Sequence, residues 1–168
     1  MSEVFNRPTA QTVEVVLDKT DGQLEKVLDQ RPQAVDFARI FEDAALDFWY
    51  MAIVGVQYFK KGELWNARHV QEVILTPLLI KLFELKNDDK YLLLESNKRI
   101  EQFLEAKQLE SLRKTSSIYQ EDPIRQSLLL TFDEFSQICE QIERELGLNY
   151  AKDVVDIVRS KLEKLLEN

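Results

Sequence analysis

Phe48-Trp-Tyr-Met-Ala-Ile-Val-Gly-Val-Gln-Tyr-Phe-Lys-Lys-Gly-Glu-Leu-Trp-Asn-Ala-Arg-His-Val-Gln-Glu-Val-Ile-Leu-Thr-Pro-Leu-Leu-Ile-Lys81 decides the fold. It reads as a buried helix, a Lys60-Lys61-Gly62-Glu63 break, and a second helix with a proline inside it. Between Ala44 and Phe59 only Asp47 and Gln57 are strongly polar. The run is shorter than a membrane span and carries a charge near its start, so it predicts the central helix of a bundle.

Working outward, Pro32 suits a helical first turn, and helix one is expected over about 33–60. Helix two, about 63–86, carries Ala67, Val70, Ile74, Leu78, Leu82 and Leu85 at three- and four-residue steps, with a kink expected at Pro77. Helix three is expected over 91–108, with Ile100, Phe103 and Leu104 inward, followed by a polar connection around Lys114-Thr115-Ser116-Ser117. Helix four, about 123–146, has Leu128, Phe132, Phe135, Cys139, Ile142 and Leu146 on one seam, and Gly147 is placed to cap it. Helix five, about 150–166, has Val154, Val158, Leu162 and Leu165 on one face.

Upstream, Thr12-Val13-Glu14-Val15-Val16-Leu17 is β-branched and is followed by an Asp18–Gly22 turn, so it reads as a strand or half a hairpin. The expectation is therefore all-α: an up-and-down bundle of about five helices with a short N-terminal β strand or hairpin. Residues 1–31 form the strand segment and 32–168 the bundle. A lone strand needs partners at its edges, supplied by the helices, by a second copy or by a sheet elsewhere.

Composition narrows the function. The chain has 168 residues, a formal charge of −8, four glycines and four prolines. The scarcity of turn residues suits long helices. The negative charge disfavours nucleic acid and anionic membrane surfaces as partners. The single cysteine, Cys139, falls on the apolar seam beside Glu140 and Glu143, which fits a buried thiol better than a reactive one. MSEVFNRPTA has no secretory pattern, so cytoplasmic location is the default. There is no glycine-rich phosphate loop, no Cys-x-x-Cys and no His-Glu-x-x-His; the one histidine, His69, has no second ligand for zinc. The expectation is no catalytic residue and no metal site in this chain.

The order of motifs resembles the C-terminal helical domain of the aminoglycoside adenylyltransferases, the streptomycin-modifying branch above all. Phe48-Trp49 are similar to the aromatic pair that opens that family's central helix, and Glu63 to a glutamate that starts the next. Ala67, Leu78-Leu79 with Lys81, Asn97-Lys98-Arg99-Ile100 with Phe103-Leu104, Leu112 with Thr115, and Gly147-Leu148-Asn149-Tyr150 follow in family order. Val15-Val16-Leu17-Asp18-Lys19 is similar to the last strand of the family's catalytic domain. The resemblance covers about residues 13–166. It implies a substrate-side helical domain packed against a nucleotidyltransferase domain, in which a Gly-Ser segment and an Asp-x-Asp pair hold the nucleotide and two magnesium ions. No such motif occurs here, and Asp88-Asp89 are adjacent and diverge. Gln57 stands where the family usually has lysine, Lys61 where arginine is common, and Thr76 where another basic residue is common.

The residues expected to meet a substrate are Trp49, Tyr50, Lys61, Glu63 and Lys98. Each has a plainer reading: the aromatics as core, Glu63 as a dipole partner at a helix start, Lys98 on a solvated face. Two function classes stay open. One is the substrate-binding domain of a nucleotidyltransferase-like protein, not catalytic alone, with ATP and magnesium needed only alongside a separate catalytic domain and a cationic small molecule as substrate. The other is a standalone helical interaction module whose partner supplies a sheet or catalytic subunit. Partners are then a nucleotidyltransferase domain, or a second copy through the N-terminal strand.

Overall fold

The computed structural model describes residues 36–87, 100–148 and 150–167. The expected strand Thr12–Leu17, Pro32, the start of helix three and Lys98 lie outside the described residues. Among the described residues every regular element is helical.

Helix α1 is Phe37–Lys60, α2 is Leu64–Val70, a π turn covers Gln71–Leu75, and α3 is Thr76–Lys86. Short α4 is Ile100–Phe103, α5 is Ala106–Lys114, α6 is Glu121–Leu146 and α7 is Lys152–Glu167. The α1 helix starts later than expected because Asp36 caps it, its carboxylate accepting from the Arg39 N–H at 3.1 Å.

The α1 helix is the central rod. It buries Phe41, Ala44, Phe48, Ala52 and Val56, a three- and four-residue stripe. Phe48 stacks on Phe135 of α6, and Arg125 of α6 sits 5.9 Å over the ring of Phe59. Those pairings run in opposite senses along the two helices, so α6 is antiparallel to α1. The α7 helix is antiparallel to α6: Lys152 bonds Glu140 at 2.9 Å, and Arg159 reaches Asp133. The up-and-down arrangement is as the sequence indicates. Phe48, Val56, Phe132, Phe135 and Ile142 are fully buried, as expected.

Four local readings are corrected. Helix three is not continuous to 108: the chain breaks at Leu104-Glu105 and restarts as α5. Glu105 is extended there, and its N–H donates to Gln108 Oε1 at 2.8 Å, which caps the new helix. Gln108 also exchanges two amide hydrogen bonds with Asn87, at 3.0 and 3.1 Å, tying α5 to the end of α3. Second, Pro77 follows a π turn. The extra residue in that turn moves the inward face from Ile74 and Leu78 to Leu75 and Leu79, both fully buried. Third, Leu146 is exposed at the end of the α6 seam. Fourth, α7 is rotated from the expected phase. It buries Val155, Leu162 and Leu166, leaves Val154 and Leu165 exposed, and half-buries Val158.

Gly55 explains how closely α1 and α2 pack. A Cβ there would stand 3.2 Å from Val70 Cγ1.

Candidate functional site

Gly62 builds the break. It has φ of 73°, a left-handed conformation that costs L residues energy and glycine little. The turn closes α1 with two hydrogen bonds: Gly62 N–H to Phe59 O and Glu63 N–H to Tyr58 O, both at 2.9 Å. The backbone N–H of Glu63 is therefore spent on α1. Its carbonyl accepts from Ala67 at 3.0 Å and starts α2. The Glu63 carboxylate makes no cap bond to the backbone; Oε2 accepts from Asn66 Nδ2 at 3.0 Å. Lys61 and Glu63 are both exposed, carrying opposite charges on either side of one glycine.

The start of α6 lies against this end of α1. Arg125, over Phe59, pairs with Asp122 at 2.8 Å and Glu121 at 3.7 Å. The connection from α5 to α6 also arrives here. Its Tyr119 meets Trp65 of α2 edge to face, ring centroids 6.0 Å apart and planes at 64°. Trp65 is 66% exposed and Tyr119 53%.

The other end of that connection is pinned in the interior. Gln71, in the π turn, is 1% exposed. Its Nε2 donates to the Thr115 carbonyl at 2.5 Å and lies 3.2 Å from Thr76 Oγ1. The Ser127 hydroxyl donates to the same carbonyl, and Thr131 Oγ1 donates to Ser127 O at 2.7 Å. The C-cap carbonyl of α5 is thus satisfied by side chains from the π turn and α6.

The expected site residues separate. Trp49 is 5% exposed and packs against Phe48, Phe132 and Phe135. Tyr50, next to it, is 67% exposed on the outer flank of α1. Lys61 and Glu63 flank Gly62 at the break, both exposed. Tyr50 lies about 16 Å from Lys61 along the helix axis. Lys98 lies outside the described residues. Tyr119 went unmarked in the sequence, because its meeting with Trp65 joins distant segments and no local pattern announces it.

Elsewhere, Cys139 is buried on α6, and burial first, then Glu140 and Glu143, push its thiol pKa up. A crevice of about 60 Å³ lies between α3, α5 and α6, lined by Phe83, Lys86, Gln108 and Glu134 among others. It is far below the roughly 300–1,000 Å³ of a pocket that encloses a drug-sized ligand. No group of three metal-ligating side chains gathers among the described residues. No described helix is long and apolar enough to cross a membrane.

The family described as streptomycin adenylyltransferase matches residues 3–165, nearly the whole chain. No curated protein matches it.

Proposed function

The chain belongs to the streptomycin adenylyltransferase family, and from that premise we propose that it is a helical, substrate-side unit of a nucleotidyltransferase-like protein, not catalytic by itself. In this reading ATP and magnesium are held by a separate catalytic domain, in the cytoplasm, where ATP is abundant. The sequence supports that division, since it contains no Gly-Ser pair and no Asp-x-Asp pair with which to hold a nucleotide and two metals.

The observation that carries the substrate side is the break at Gly62. It sets the Glu63 carboxylate and the Lys61 ammonium in solvent at the junction of two rigid helices. A carboxylate so placed suits a cationic small molecule, and the net charge of −8 attracts one over longer range. Tyr50 offers an exposed ring on the α1 flank, with Trp49 fixing that stretch of helix from beneath. Lys98, by its place in the sequence, is assigned in this reading to pair with a nucleotide phosphate.

Calorimetry with streptomycin tests the substrate side. Glu63→Ala should weaken binding by ~1–3 kcal/mol, the range for a hydrogen bond to a charged group, with the melting temperature unchanged. Unchanged affinity with a lower melting temperature would make Glu63 a helix-start residue only.

One observation favours a second reading, a module that works by docking to another protein. Leu46 on α1, and Val154 and Ile157 on α7, are each more than half exposed. Val154 and Ile157, three residues apart on one face of α7, offer a paired apolar surface that suits a partner. That partner would be a catalytic subunit or a second copy meeting this one through the N-terminal segment.

A further inference from the structure

Helix α7 is apolar on two sides. Val155, Leu162 and Leu166 are buried against the bundle. Val154, Ile157 and Leu165 stand in solvent, 60%, 57% and 46% exposed. At about 3.6 residues per turn these three share one flank, with half-buried Val158 at its inner edge and Lys161 in its middle. Val154, Ile157, Lys161 and Leu165 follow one another at three- and four-residue steps, the spacing of a seam that meets a second helix. The stem of a lysine lies along apolar surface while its charge stays wet, so Lys161 does not interrupt the seam.

The charges of α7 set it apart from the rest of the chain. Four basic and four acidic residues cancel within 152–167, whereas the whole chain carries −8. Two copies therefore repel over most of their surface, but not here. The charges are also ordered. Exposed Asp153 lies in the first turn and exposed Lys164 in the last, on the same edge of the seam as Ile157. A two-fold axis across the middle of the helix lays two copies of α7 antiparallel. It sets Val154 of each against Leu165 of the other, Ile157 against the Lys161 stem, and Asp153 against Lys164, every pairing made twice. A parallel pairing would instead set Asp153 on Asp153 and Lys164 on Lys164. A partner of another kind needs no surface complementary to itself; a second copy does.

We propose that α7 is a self-association surface, on which two copies of the chain pair antiparallel through Val154, Ile157 and Leu165, with Asp153 of each against Lys164 of the other. It rests on the docking reading and specifies it: the occupant of the apolar α7 face is a second copy, and the contact lies on α7 rather than on the N-terminal segment. Three apolar side chains from each copy, along about 16 Å of helix, make a contact smaller than the ~1,600 Å² of a standard stable complex, so the pair forms reversibly and dissociates on dilution.

Sedimentation equilibrium of the full chain from about 10 μM to about 1 mM, the range of a weak complex, tests this. The mass should rise from one copy toward two. Ile157→Lys should hold it at one. Asp153→Lys should weaken pairing about three- to tenfold, two exposed ion pairs being turned to repulsion, and adding Lys164→Asp should restore it. Ile157 and Asp153 are exposed, so urea midpoints of dilute samples should stay fixed and report that these variants are folded. For the register, chains carrying Val154→Cys and Leu165→Cys are mixed and treated with a short bismaleimide. The mixed product should form faster than either like-with-like product, while buried Cys139 gives the unmodified chain none. A like-with-like product at Val154 that forms faster would contradict the antiparallel pair. A chain that stays at one copy throughout, with Ile157→Cys labelled as fast as a free thiol, overturns the pairing and leaves the docking reading to another partner. One copy with that thiol protected means that the chain covers this face itself, and both fall.

Discussion

Phe48 of α1 lies flat on Phe135 of α6, ring centroids 3.5 Å apart and planes 6° apart. Trp49 meets both rings at steep angles and Phe132 meets Phe48 and Trp49, so four rings from two antiparallel helices form the middle of the core. Truncating one removes contacts to the others and leaves a void the rigid helices cannot close. Phe135→Ala should lower stability by ~3–5 kcal/mol in urea unfolding, the range for deleting a buried aromatic. A loss under 1 kcal/mol would mean that the stack is loose in solution.

Gly55 tests the α1–α2 contact. Alanine is normally the better helix former by about 1 kcal/mol. Here its methyl would press on Val70, which is buried, β-branched and stiff in a helix. Gly55→Ala should therefore destabilise by ~1–3 kcal/mol, and should cost less when introduced into a Val70→Ala background. A thermal melt of the single and double variants decides; stabilisation by Gly55→Ala alone would contradict the packing.

The Gln71 pin makes a different prediction. Gln71→Leu removes the donor to Thr115, while Ser127 still bonds the same carbonyl. The cost should be ~1–3 kcal/mol. Exchange of the amide hydrogens of residues 116–120 should speed up more than that of α1. Uniform exchange across both segments would show that Gln71 does not fasten the connection.

Alkaline stability should turn on Cys139 and Tyr150. Burial pushes both pKa values above their ordinary 9.0 and 10.0. Each proton is then lost at lower pH from the unfolded chain than from the folded one. Above about pH 9 the unfolded chain binds fewer protons, so stability falls as pH rises. Cys139→Ala should flatten the onset of that fall, measured as urea midpoints from pH 8 to 10.5. In the native chain a thiol reagent at pH 8 should leave Cys139 unmodified until urea is added.

The α6 seam was legible because a single unbroken stripe of apolar residues, from Leu128 to Ile142, leaves one choice of buried face. The α7 helix offered two, since Val154-Val155, Ile157-Val158 and Leu165-Leu166 are adjacent apolar pairs. Only packing on α1 selects between them. The break at Leu104-Glu105 had a local signal in Glu105-x-x-Gln108, a capping pattern outweighed by the helical run around it. The π turn had none beyond Pro77 and Thr76. At the site, Lys61-Gly62-Glu63 could be read from one glycine between charges, whereas the meeting of Trp65 with Tyr119 depends on the Gln71–Thr115 pin.

A chain that serves the substrate side and leaves nucleotidyl transfer to another domain carries out no transfer when alone. Purified chain is incubated with ATP labelled at the α-phosphate, magnesium and streptomycin, and the label in the aminoglycoside is counted. No transfer above the protein-free control is expected at any concentration of the chain. Transfer that rises in proportion to the chain, and disappears when one of its aspartates is replaced by asparagine, would contradict it.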